Sequence, residues 1–328
     1  MRGLLRIPFE KAADKRAIPG VASLVKALRR TAAEGGRTTS VSFVTASPPQ
    51  IGRAIREKLL LDGIEFDEIR FKDQFRHLMR GRFDVLREQV GFKLAELLQS
   101  ARSGGADGEE ILFGDDWESD PLIYSLYADA IAGRLPWTRL EGILVAAGVH
   151  VDYRDSIRES LGQPGPHRDV RAICILRARP RSGEDLEVFA PRLFWFDGYV
   201  EAALILHALG DVDARGVVDV AAASALEPDL VTAAFEATAT RWPRLRREHL
   251  TIARKRLLED GRIRPVDAGA LLRRAAVRLR VLTGKSPLPP LATATPVPDY
   301  ERLVHQWSSR ARKEREKEAR LELEHDAE

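Results

Sequence analysis

Cysteine is almost missing from this chain of 328 residues: Cys174 is the only one. An intrachain disulfide and thiolate metal clusters are thereby excluded. The apolar neighbours Ile173, Ile175 and Leu176 predict a buried small hydrophobe in a reducing compartment. Long apolar runs are missing too. No stretch approaches the length of a membrane helix, and residues 1–11 lack the apolar core and small-residue cleavage site of a signal peptide. A cytoplasmic protein with no membrane span is therefore expected. An excess of one charge is also lacking, because 52 Lys+Arg face 49 Asp+Glu for a net +3, so nucleic-acid binding is not implied. The 7 histidines show no HxxxH-type spacing, which argues against a histidine metal site. What is present, 44% apolar and 31% charged residues, suits a globular chain long enough for two domains.

The most informative segment is Gly114-Asp115-Asp116-Trp117-Glu118-Ser119-Asp120, directly after the apolar run Ile111-Leu112-Phe113. A short strand that stops at a glycine followed by clustered carboxylates places acids at the C-terminal edge of a sheet, where open α/β folds bind ligands. Carboxylate oxygens are hard donors suited to Mg²⁺. Upstream, Val21, Leu24, Val25 and Leu28 recur at helical spacing, Val41, Phe43 and Val44 read as a strand, and Pro48-Pro49 opens a helix with Ile51, Ile55 and Leu59 on its apolar face. A second strand falls within residues 64–71. A long helical stretch follows over about residues 74–100, with a break near Gly91 and Lys93 in its last part. This alternation predicts a parallel, helix-covered sheet over residues 1–150.

Beyond Pro164-Gly165-Pro166 the sequence becomes Ala/Leu/Arg-rich and poor in strand signals, so residues 160–285 read as an α-helical domain. Phe194-Trp195-Phe196 fits the entrance of a buried helix, and residues 217–226, 230–240 and 248–258 carry amphipathic spacing. Residues 286–328 read as a proline-rich linker and a charged tail, anchored at Leu303, Val304 and Trp307.

Three polar elements line up in chain order: Thr45 or Ser47 at a strand end, Lys93 on a helix, and the acids Asp115, Asp116 and Asp120 after a later strand. Each suits phosphoryl transfer, in which hydroxyls hold phosphate oxygens, a lysine neutralises the transferring group and carboxylates hold Mg²⁺. Each has an ordinary reading as well. Thr45 and Ser47 serve as loop and cap residues, Lys93 as a surface lysine, and Asp120 as the N-cap of the helix that begins at Pro121.

The order and wording resemble the haloacid dehalogenase superfamily, in particular its phosphatidate-phosphatase-like branch, over roughly residues 15–135. Phe43-Val44-Thr45-Ala46-Ser47-Pro48 matches the family's second motif, Gly91-Phe92-Lys93 its third, and Asp115 with Asp120, spaced as GDxxxxD, its fourth. The resemblance implies a haloacid-dehalogenase-like α/β sheet and a Mg²⁺-dependent phosphatase acting on a phosphorylated small molecule or other phosphoester. Thr45, Lys93 and Asp115 are then catalytic, Thr45, Ser47 and Lys93 bind phosphate, and Asp115, Asp116 and Asp120 hold the metal. The chain departs from the family at one point. No strand ending in DxDxT, which supplies the nucleophilic aspartate, precedes Pro19, and Asp14 lies in a polar segment that is no substitute.

The chain as written is therefore expected not to turn over. A start codon placed too far downstream is the favoured explanation. A true loss, with Leu4-Leu5-Arg6-Ile7 as a replacement strand, is the other, and it leaves a pseudo-phosphatase whose helical domain docks a protein partner.

Overall fold

The computed structural model describes residues 18–45, 49–71, 85–103, 107–116, 119–177, 184–265, 297–307 and 309. In chain order the elements are α1 (Val21–Glu34), β1 (Ser42–Thr45), α2 (Gly52–Leu61), β2 (Glu68–Phe71), α3 (Val85–Ser103), β3 (Gly108–Asp115) and α4 (Asp120–Ile131). They continue as α5 (Trp137–Ala146), α6 (Val151–Gly162), β4 (Arg168–Leu176), α7 (Glu184–Glu187), β5 (Leu193–Phe196), α8 (Tyr199–Leu209), α9 (Ala214–Ala223), α10 (Pro228–Arg241) and α11 (Arg247–Glu259). The fold is mixed α/β, with small sheets flanked by helices. The chain divides into two compact units that interleave in sequence: residues 1–42, 50–68 and 196–293, and residues 43–49, 69–195 and 294–328.

The first unit is helical. Its centre is α8, which buries every residue from Val200 to Ala208, as a helix with apolar residues on all sides must. Around it, α9 contributes Val217 and Val220, α10 Val231 and Phe235, and α11 Leu250, Ala253 and Leu257. α1 lies against α9 through Leu24 and Ala27. A Cβ on Gly216 would come within 2.6 Å of the Ala27 Cβ, so the glycine sets how closely the two helices approach. The polar side of that contact is fixed by Asp213. Its carboxylate caps α9 by accepting from the Gly216 N–H at 2.8 Å and pairs with Arg30 at 2.9 Å.

The second unit holds the sheet that carries the acidic loop. Among the described residues, β1 pairs with β2, and β3, β4 and β5 form a separate sheet in that order. β3 and β4 are parallel, with Leu112 opposite Ile173, Phe113 opposite Cys174 and Asp115 opposite Leu176. Cys174 is fully buried within the β4 run, as its neighbours predict. α4 covers β3 and β4 with Leu122, Ile123, Leu126 and Tyr127, and α3 packs on α4 and α6 through Phe92, Leu94 and Leu98. In the C-terminal helical segment, residues 300–307, Tyr300, Leu303, Val304 and Trp307 are buried, so the expected anchor is present.

Three local expectations are corrected. β4 and β5 lie inside residues 160–285, where the sequence reads as helical, and Phe194-Trp195-Phe196 is strand rather than helix entrance. A strand covered on both faces is a continuous apolar run, and such a run looks the same as buried helix by periodicity. α3 continues unbroken through Gly91. A Cβ there would lie 2.8 Å from Val149 Cγ1 and 2.9 Å from Tyr153 Cδ2, so this glycine serves packing rather than termination. Finally, Ser119 is the N-cap residue of α4, and Asp120 is its first helical residue.

Candidate functional site

β3 runs past the apolar triplet to Asp115, so the acidic loop starts at the C-terminal end of a strand in a parallel pair. The Asp116 N–H donates to the Leu176 carbonyl at 3.1 Å and extends the ladder by one residue. Asp116 is 1% exposed. Asp115 is half-buried beside it.

From the other side, α3 presents Lys93 between Phe92 and Leu94, which are both buried. Lys93 itself is 5% exposed and Asp120 6%. The Lys93 Nζ donates to Asp120 Oδ1 at 2.5 Å, and the Asp115 N–H approaches Asp120 Oδ2 at 3.4 Å. The position of Asp120 as the first residue of α4 aids this arrangement, since the positive end of the helix dipole stabilises a carboxylate there. A lysine, an ion-paired aspartate and two neighbouring aspartates thus gather at one strand end. Removed from water, such a pair is held in a single geometry and is costly to break.

The sequence-predicted residues divide into three groups. Lys93, Asp115 and Asp120 are brought together, with Asp116 buried next to them in sequence. Thr45 is the last residue of β1, which belongs to the other sheet. Ser47 lies outside the described residues. As donors, the three carboxylates are of the hard oxygen type that suits Mg²⁺, which needs only one or two of them beside water and substrate phosphate. Among the described residues, however, no three acidic, histidine or cysteine side chains are placed to hold an ion. A complete metal cage is therefore not built from these residues alone.

Two buried polar networks escape a sequence reading. Glu110, near the start of β3, accepts the Tyr127 O–H at 2.6 Å. Burial raises the Glu110 carboxyl above its usual range despite that bond and the nearby Arg168, and burial beside Glu110 pushes the Tyr127 phenol up as well. Asp129, on α4, accepts from the Tyr300 O–H at 2.7 Å, forms an ion pair with Arg134 and lies 3.5 Å from Arg192. Burial and the Asp129 charge push the Tyr300 phenol up. For Asp129 the available signal was a carboxylate on a helix otherwise apolar on nearly every face, which must find partners inside.

No helix among the described residues is long and apolar enough to cross a membrane. No protein-family model, no curated protein and no solved structure matches the chain.

Proposed function

We propose that this chain carries a haloacid-dehalogenase-like, Mg²⁺-dependent phosphohydrolase domain that, with no DxDxT in the sequence, does not turn over by the family mechanism. The buried Lys93–Asp120 pair at the C-terminal end of a parallel strand carries the proposal, because it joins the third- and fourth-motif positions of the resemblance. In this reading Lys93 neutralises the transferring phosphoryl group, Thr45 and Ser47 take its oxygens, and Asp115, Asp116 and Asp120 hold or orient Mg²⁺. The metal, when bound, would supply Lewis-acid charge. The substrate is a phosphorylated small molecule or other phosphoester, and the compartment is the cytoplasm.

The second reading is a pseudo-phosphatase that binds phosphate-bearing molecules while its helical unit docks a protein partner. The missing DxDxT favours it. Both readings expect no hydrolysis of p-nitrophenyl phosphate by this chain and a rise in melting temperature with orthovanadate plus Mg²⁺. They part on a form extended at its N-terminus by an apolar strand ending in Asp-x-Asp-x-Thr. The phosphohydrolase reading expects Mg²⁺-dependent turnover there, falling by orders of magnitude in Lys93→Ala or Asp115→Asn. The pseudo-phosphatase reading expects none. A melting temperature indifferent to vanadate with Mg²⁺ removes both.

A further inference from the structure

We infer that Gly114 is a positioning residue for the Lys93–Asp120 pair; the functional meaning of this rests on the phosphate reading above. Gly114 sits within β3 and is not among the glycines with positive φ, so its backbone conformation gives no reason for a glycine. Glycine inside a strand costs conformational entropy and commonly marks a close approach. The surrounding space supplies the reason. A Cβ on Gly114 would overlap Asp120 Oδ2, lie 2.7 Å from Asp120 Cβ and lie 2.8 Å from Tyr124 Cε2. The first two atoms belong to the side chain whose other oxygen holds the Lys93 ammonium. The third belongs to a buried ring whose hydroxyl donates to the Phe113 carbonyl at 3.1 Å, so the ring cannot swing aside without losing that bond.

Asp120 has no easy retreat on its own side, because it is the first residue of α4 and is followed by Pro121. A methyl group at position 114 therefore displaces the carboxylate from the position in which it meets Lys93. The bare strand end lets a carboxylate borne by the next helix lie against the backbone, within reach of a lysine from the preceding helix. The ordinary turn preference of Gly-Asp does not explain this, since Gly114 is paired in the ladder opposite Ile175.

The test reads the pair directly. In a chain labelled with ¹⁵N-lysine, a buried, ion-paired ammonium exchanges slowly enough to give a ¹H–¹⁵N cross-peak, which is assigned by its loss in Lys93→Met. Gly114→Ala is expected to abolish or strongly shift that peak. It is also expected to cut the Lys93→Met by Asp120→Asn coupling, measured by denaturation, at least tenfold as an equilibrium constant. An unchanged peak and coupling in folded Gly114→Ala overturn the inference.

If Gly114→Ala does not fold, Gly114→Ala/Tyr124→Leu, which opens the space of the ring, is read in the same way. Failure of both variants to fold also overturns it, because the glycine would then serve the whole strand. The vanadate-dependent melting shift of the unsubstituted chain is independent of these readouts. Its absence removes the phosphate reading while the positioning result stands.

Discussion

Lys93→Met replaces an ammonium by an apolar group of similar length and leaves the Asp120 carboxylate 6% exposed without its cation. Removing one partner of a buried pair costs about 3–5 kcal/mol, because the remaining charge stays desolvated. Asp120 is not left wholly unsupported, since a carboxylate in the first turn of a helix gains roughly 0.3–1 kcal/mol from the dipole. The Asp115 N–H at 3.4 Å is too long to add much. The expected loss is therefore about 2–4 kcal/mol, which for a unit of this size is a fall of roughly 5–15 °C in melting temperature. Removing the second charge as well, in Lys93→Met/Asp120→Leu, should recover most of that loss, because an apolar replacement of a buried pair is often neutral. Urea denaturation followed by tryptophan fluorescence gives both numbers. A single-variant loss under about 1 kcal/mol, or a double variant as unstable as the sum of the singles, would refute a coupled buried pair.

Gly91→Ala should destabilise, although helix propensity alone predicts a gain of about 1 kcal/mol. The new methyl meets Val149 and Tyr153 at under 3 Å, and overpacking of this kind costs roughly 1–3 kcal/mol; a higher thermal midpoint than the parent would contradict this. Burial raises the folded-state Glu110 carboxyl above its ordinary value near 4.5, so between that pH and the raised value the folded state holds more protons than the unfolded one. Stability from this group is complete at low pH and declines as pH rises through that window. Glu110→Gln should flatten the decline, and unfolding midpoints at several pH values between about 4 and 8 will show whether the slope survives. Tyr300→Phe removes one of the hydrogen bonds to Asp129 and should cost about 1 kcal/mol. Hydrogen exchange should speed up first in residues 300–307, and unaltered protection there would mean that the bond does not hold the segment.

The residues whose spacing carried one period were legible in sequence. α1, α9, α10 and α11 sit where apolar positions recur at helical intervals, and β3 sits where Ile111-Leu112-Phe113 ends in glycine and acids. Lys93 and Asp120 were assigned to one site by their order relative to those elements, Asp120 as partner of Asp115; nothing local in Lys93 or Asp120 says that they are buried against each other. β4 was not legible, because Val170 to Ile175 buries a two-sided run that could pack equally well as helix. Gly91 was misread because glycine breaks helices on average, and only the position of α6 shows why this one does not. The interleaving of the two units follows contacts distant in sequence, such as α1 on α9, that no local pattern contains.

If the strand end binds phosphate, as the phosphohydrolase reading holds, the Lys93–Asp120 pair decides the order in which ligands can arrive. Among the described residues, the Lys93 ammonium is held by the Asp120 carboxylate at 2.5 Å, with Asp115 and Asp116 next along the loop. A phosphate dianion approaching Lys93 alone must compete with the Asp120 carboxylate, and burial strengthens that competition rather than screening it. Lys93 cannot serve as an anion receptor while Asp120 neutralises it. In the phosphohydrolase reading a divalent cation would change the balance by drawing on the carboxylates, making phosphate and metal mutually dependent ligands whose coupling is the same in either direction. Vanadate without Mg²⁺ should therefore leave the melting temperature unchanged, Mg²⁺ alone should move it slightly, and the two together should move it by more than the sum. An equal shift with vanadate alone would mean that the anion sits elsewhere, on cations that no carboxylate has already claimed.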